Sequence, residues 1–188
     1  MIPVRDVIPT RTTPFVSLAL AAAMGAACAW PGVREWWLPW AASAVALWLA
    51  GSTLEDRFGH GRFAAFTAAC AAAAVAAPLA AGSRVDLAWA GSAVASGMVT
   101  AYLVMFPRSR VLMLVPVVVG LEVADVPAWV VFGLWAVVQA AAAWSALTWN
   151  APADAGGLAV GLAAGAAAGA LGGWLLPRPD RMRVEWWD

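Results

Sequence analysis

Long apolar runs separated by short polar or charged breaks recur along nearly the whole chain. The runs fall at about residues 14–30, 36–54, 63–82, 87–106, 126–147 and 156–176. Each is close to the roughly 20 residues that a helix needs to cross a bilayer. The pattern predicts six membrane-spanning helices and leaves no length for a separate soluble domain. The breaks are a polar lead to Thr13, the turn Pro31–Glu35, a charged loop Glu55–Arg62, the turn Ser83–Asp86, the turn Asn150–Ala155 and a polar tail 177–188. The first run ends in Ala26-Ala27-Cys28, which mimics an export signal, but it is read as a span.

Residues 107–126 fit this scheme least well. Arg108 and Arg110 precede VLMLVPVVVG, which is followed by Glu122 and Asp125. Ten apolar residues with a central Pro116 are too few to cross, so an interfacial or partly re-entrant loop is expected. Asp125 and Pro127 read as a cap and first turn for the fifth helix.

Composition strengthens the membrane reading. Of 188 residues, 63% are hydrophobic and 12% charged, far from the balance of a soluble domain. Formal net charge is +0, so nothing points to nucleic acid. There is no lysine. Six spans put both termini on one side, together with Arg5, Arg11, Arg57, Arg62, Arg108, Arg110, Arg178, Arg181 and Arg183. The opposite side has Arg34 and Arg84 only, so both termini are expected in the cytoplasm. Cys28 and Cys70 lie in apolar runs and read as small hydrophobes. No metal site or cofactor is expected.

Two stretches carry packing signals. The fourth run begins with small residues from Ala90 to Gly97, including Gly91, Gly97 and the hydroxyl of Ser92. The sixth repeats Gly161, Gly165, Gly169 and Gly173 at intervals of four, a stripe suited to close helix packing. It is expected to meet the small face of the fourth helix. Trp129, Trp135, Trp144 and Trp149 exceed what interface anchoring needs and leave lipid, another protein or a pigment as what they meet.

Several segments resemble the rhomboid family of intramembrane serine proteases, in its small six-helix bacterial form. Gly51, Leu54, Glu55, Gly59, Arg62 and Phe63 match the family pattern G-x-x-L-E-x-x-x-G-x-x-R-F. The lead MIPVRDVIPTRTTPFVS, the segment AYLVMFPRSRVLMLVP and the glycines Gly156, Gly157 and Gly161 follow the family too. The resemblance implies an all-α, polytopic six-helix bundle in a bacterial inner membrane. It also shows what has changed. The family's G-x-S-G motif reads Ala90-Gly91-Ser92-Ala93. The histidine that serves as base is replaced by Asp154, in Ala153-Asp154-Ala155-Gly156-Gly157. The oxyanion histidine and asparagine are replaced by Pro39 and Ser43, and the long first loop shrinks to Pro31–Glu35.

A serine needs an adjacent base with a pKa near working pH. An ordinary aspartate, at about 4, does not supply one. Asp154 reads as a helix N-cap, with a hydrogen bond to Ser92 as the alternative. His60, the one histidine, falls in the charged loop on the cytoplasmic side, and reads as solvated. Glu55 and Arg62 are expected to hold that loop in shape. Ser92 therefore reads as a vestigial nucleophile in a pseudoprotease. The expected function is binding of other membrane proteins through transmembrane helices, as an accessory subunit of a larger membrane complex. The alternatives are a transient client binder or chaperone, and an active endopeptidase using Ser92 with an unusual partner.

Overall fold

The structure is a computed structural model and describes residues 2–6, 12–27, 37–83, 87–117, 120–150 and 152–177. Its elements in chain order are β1 (Ile2–Asp6), α1 (Phe15–Ala27), α2 (Trp37–Phe58), α3 (His60–Ala80), α4 (Leu87–Met105), β2 (Arg110–Val117), β3 (Gly120–Pro127), α5 (Ala128–Ser145) and α6 (Pro152–Leu175). A π-helical turn, Ala146–Asn150, extends α5. The fold is an all-α polytopic membrane fold with a small sheet at one end. Three helices are long and apolar enough to cross a bilayer, at His60–Ala80, Ala128–Thr148 and Gly156–Leu175. The first loop, with Pro31–Glu35, the cysteine Cys28, the arginines Arg34 and Arg84, and the tail with Trp186-Trp187 lie outside the described residues.

α4 is the central post. The glycine stripe of α6 runs along it with almost no space between the two backbones. A Cβ added at Gly165 would collide with Ala93 O, and one at Gly169 with the backbone of Gly97. One at Gly173 would lie 2.9 Å from Ala101 O. Gly161 has ordinary room, 3.5 Å to both Ala93 Cβ and Ala74 O. On α4 itself, Gly97 admits Cys70 from α3, whose Sγ would be 2.7 Å from an added Cβ. Gly91 admits the Trp40 ring, at 2.7 Å on the same measure. Small residues thus let two backbones meet where lipid gives side chains no hydrophobic reason to separate. Ser96 Oγ bridges the helices further by donating to Leu162 O at 2.8 Å.

The charged loop expected at Glu55–Arg62 is instead helix, one residue of turn, and helix again. α2 continues four residues past its apolar run, to Phe58, so Glu55, Asp56 and Arg57 are helical and buried. Gly59 makes the whole turn at φ 81° and ψ 152°, a backbone conformation open essentially to glycine alone. Charge in a sequence marks solvent only when no protein group stands ready to meet it, and here such groups do. These charges face other parts of the protein.

Residues 107–126 also differ from expectation. They form an antiparallel hairpin, β2 with β3, rather than a re-entrant loop, and β1 adds to the β2 side. A Val-rich segment suits a strand. Among the described residues β1 pairs with β2 only as far as Leu114, so at Pro116 the one described neighbour is β3, a position that tolerates proline. Asp125 is consequently a strand residue opposite Leu112 and not a cap; Pro127 occupies the N-cap of α5.

Candidate functional site

Two clusters of polar side chains stand out, one at each end of α2. The first surrounds Ser92. α2 brings Pro39 and Ser43 to α4 about six residues, roughly 9 Å, into the helix. Ser43 Oγ lies 3.0 Å from Ser92 Oγ and accepts from the Ser92 hydroxyl, its own proton being directed elsewhere. Ser43 Oγ also donates to Pro39 O at 2.8 Å, bonding back four residues along its own helix. From α5, Gln139 Nε2 donates to Ser43 Oγ at 2.9 Å and to Pro39 O at 3.0 Å. Trp135 Nε1 approaches Ser43 Oγ at 3.3 Å. Ser43, Ser92 and Gln139 are all buried. Behind them Trp40 Nε1 donates to Met24 O at 2.7 Å, tying α2 to α1.

Sequence reading placed Ser92 with Pro39 and Ser43, and the structure brings these three together. It missed Gln139 and Trp135. The signal was available: Gln139 is the chain's one glutamine and interrupts the apolar sequence of α5. A polar residue at membrane depth is rarely idle. Trp135, taken for a residue that meets lipid or a partner, instead turns its indole nitrogen inward. Asp154 lies in the first turn of α6, two residues after Pro152, and so inside the helix rather than at its N-cap. Its side chain is outside the described set.

The second cluster holds the other end of α2. Glu55 caps α1 from outside that helix. Its Oε1 accepts from the Val16 amide at 2.9 Å, and its Oε2 from the Ser17 amide and hydroxyl, both at 2.7 Å. These amides belong to the first turn of α1, where the helix has no partner of its own for them. A carboxylate there also meets the positive end of the helix dipole. His60 Nδ1 lies 2.6 Å from Glu55 Oε1, so His60 is a partner of Glu55 and not simply solvated. Next to it, Asp56 Oδ1 accepts from the Thr12 amide and hydroxyl at 2.9 and 2.8 Å. Burial alone would raise the Glu55 pKa. The Ser17 hydroxyl and amide, the Val16 amide and His60 outweigh it and hold the carboxyl below its ordinary value of 4.5.

The matched pattern now has a physical reading. Gly51 gives Ser17 room, with its Oγ 3.1 Å from where a Cβ would stand. Leu54 and Phe63 fill the core, Glu55 caps α1, and Gly59 makes the turn. Arg62 Nη1 reaches Leu176 O just past the end of α6, at a long 3.5 Å. Arg57 lies over the Phe106 ring, 5.8 Å from its centroid. β1, the ends of α2, α4 and α6, and the start of α3 therefore gather at one end of the bundle, and Arg57, Arg62, Arg108 and Arg110 with them. His60 is at that end. Ser43 and Ser92 are about 22 Å away, fifteen residues back along α2.

Among the described residues no group of His, Cys, Asp and Glu is arranged to hold a metal. An apolar cavity of about 370 Å³ opens between α2 and α5, lined by Leu38, Ala42, Val45, Leu134 and Trp135 among others. A family model described as Rhomboid domain matches residues 37–173. No curated protein and no solved structure matches the chain. The matched stretch runs from the first turn of α2 into the last of α6 and takes in the Ser92 cluster and Glu55, Asp56 and His60 of the other, whose partners on and before α1 precede it. The chain is thus a polytopic integral membrane protein that belongs to the rhomboid family.

Proposed function

We propose that this chain is a non-catalytic rhomboid-fold protein of a bacterial inner membrane that binds other membrane proteins as an accessory subunit of a larger complex. The observation that carries the reading is the company of Ser92. Its hydroxyl meets another hydroxyl, Ser43, where general-base chemistry requires a group with a pKa near working pH. An alcohol keeps its own proton throughout that range. Asp154 and Pro39 stand at the family's other working positions, and losing a single oxyanion donor already costs about 100- to 1000-fold in rate. The uneven distribution of arginine supports cytoplasmic termini. The open apolar cavity between α2 and α5 supports a transmembrane helix as the binding partner.

Two measurements test the reading. Purified protein is expected to take up no fluorophosphonate probe above the Ser92→Ala background and to leave transmembrane substrates uncut. Ser92-dependent cleavage would overturn it. Purification of the native protein in mild detergent is expected to recover a partner at fixed ratio. A heterogeneous set of clients would instead make the chain a transient binder.

A further inference from the structure

β3 is an edge strand. β2 pairs with one side of it, and among the described residues no strand pairs with the other. The register fixes which backbone groups the open side carries. Val117 and Gly120 close the hairpin as a hydrogen-bonded pair, and such pairs alternate with unbonded ones along an antiparallel ladder. The backbones of Gly120, Glu122, Ala124 and Val126 therefore bond to β2. Those of Leu121, Val123 and Asp125 point away from it. Both prolines of the hairpin agree with this count. Pro116 opposite Leu121 and Pro127 opposite Arg110 fall on unbonded pairs, where no N–H is needed.

The two edges of the sheet are unlike. β1 is five residues long, contains Pro3 and Arg5, and shifts register between them. Short length, proline, a basic residue and an irregularity are the devices that keep a strand edge from pairing. β3 has eight residues in unbroken register with β2, no basic residue, and proline only at its last position. Its charges are Glu122 and Asp125. Asp125 is exposed and forms no ion pair among the described residues.

We propose that the open edge of β3 docks a basic, extended segment flanking a partner's transmembrane helix, which adds to the sheet as a fourth strand. The inference rests on the binding role and orientation proposed above and specifies where the partner is gripped. Exposed backbone donors and acceptors supply the affinity of strand addition. Charge selects the occupant. A second copy of this chain would set β3 against β3, two acidic residues against two, with no basic residue on either strand. A basic strand meets them with opposite charge. Membrane proteins place such segments beside their helices on the cytoplasmic side, the side assigned to this sheet.

The test uses fluorescent single-span peptides of leucine and alanine, each followed by a short tail of valine and threonine. One tail carries two arginines, and a second carries two glutamates in their place. A third keeps the arginines but has its amides N-methylated. Binding to the full-length protein is followed by energy transfer in phosphatidylcholine liposomes. The arginine tail is expected to bind roughly tenfold tighter than its N-methylated form and roughly threefold tighter than the glutamate tail. Val123→Pro removes an outward N–H and leaves the ladder to β2 whole, so it should lose the first preference. Equal binding of the arginine tail and either other tail, or a preference over the N-methylated tail that survives in Val123→Pro, overturns the proposal. So does a dimer of this chain that Val123→Pro dissolves, since the edge then holds a second copy. The wild-type comparison decides the matter even if the variant misfolds. A native partner that co-purifies equally with wild type and Val123→Pro overturns this site while leaving the binding role in place.

Discussion

The Ser92 hydroxyl faces the Ser43 hydroxyl across α4 and α2. Replacing it with alanine removes one hydrogen bond from a node in which Ser43 still has Gln139 and Pro39 O. The expected cost is within about 1 kcal/mol, since buried polar contacts between membrane helices average well under that. Thermal unfolding in detergent should place Ser92→Ala within a few degrees of wild type. Glu55 is a different case. Three donors converge on its carboxylate, and glutamine would turn an N–H toward one of them. Glu55→Gln is expected to cost about 1.5–3 kcal/mol, the range for a hydrogen bond to a charged group. The lowered pKa adds a dependence on pH. The carboxylate's contribution is complete above its ordinary value of 4.5 and disappears as acidification carries the pH down through the lower folded value. A melting temperature that falls below about pH 4.5 in wild type, and more weakly in Glu55→Gln, is the expected result.

At the scale of elements, the tightest contact is between α4 and α6. Gly169→Ala puts a methyl group into the backbone of Gly97, which neither helix can yield without moving apart. A loss of about 1–3 kcal/mol, typical of overpacking, is expected, and Gly161→Ala, with ordinary room, should lose far less. Differential scanning fluorimetry of the pair checks both. Gly59→Ala should cost about 1–3 kcal/mol for a different reason, strain at a backbone conformation closed to a side chain. How much of this could be read beforehand varied with the physics. Helices and the glycine stripe announce themselves, because spanning length and four-residue spacing are local properties of the chain. The fate of Glu55 and His60 was not legible, because a charge that caps another helix looks the same in sequence as one that meets water. The sheet was missed because β1 and β2 lie more than one hundred residues apart. Gln139 was legible but overlooked among larger neighbours.

At the scale of the molecule, the two polar clusters lie at two levels. One lies at the sheet end and contains the His60–Glu55 pair; the other lies in the apolar interior and is built from neutral groups. The two levels do opposite jobs. The charged level holds α1, α2 and α3 together. The neutral level is shared with α5, which borders the apolar cavity against α2. A change at the first should therefore weaken the whole fold, and a change at the second, on the binding role proposed above, should alter partner recovery. Comparing melting temperature with partner recovery for Glu55→Gln and Gln139→Leu separates the two. The glutamate variant is expected to melt earlier and, on the binding role proposed above, the glutamine variant to recover less partner.

β1 has a consequence for the order of events at birth. Ile2–Asp6 are made early, and their partner, Val111–Leu114, follows more than one hundred residues later. At about 5–20 residues per second, the first strand waits between about 5 and 22 s. During that time four hydrophobic segments are threaded into the bilayer. Closing β1 onto β2 then joins an early part of the chain to a later one, a clasp fastened only once the helices between them are in place.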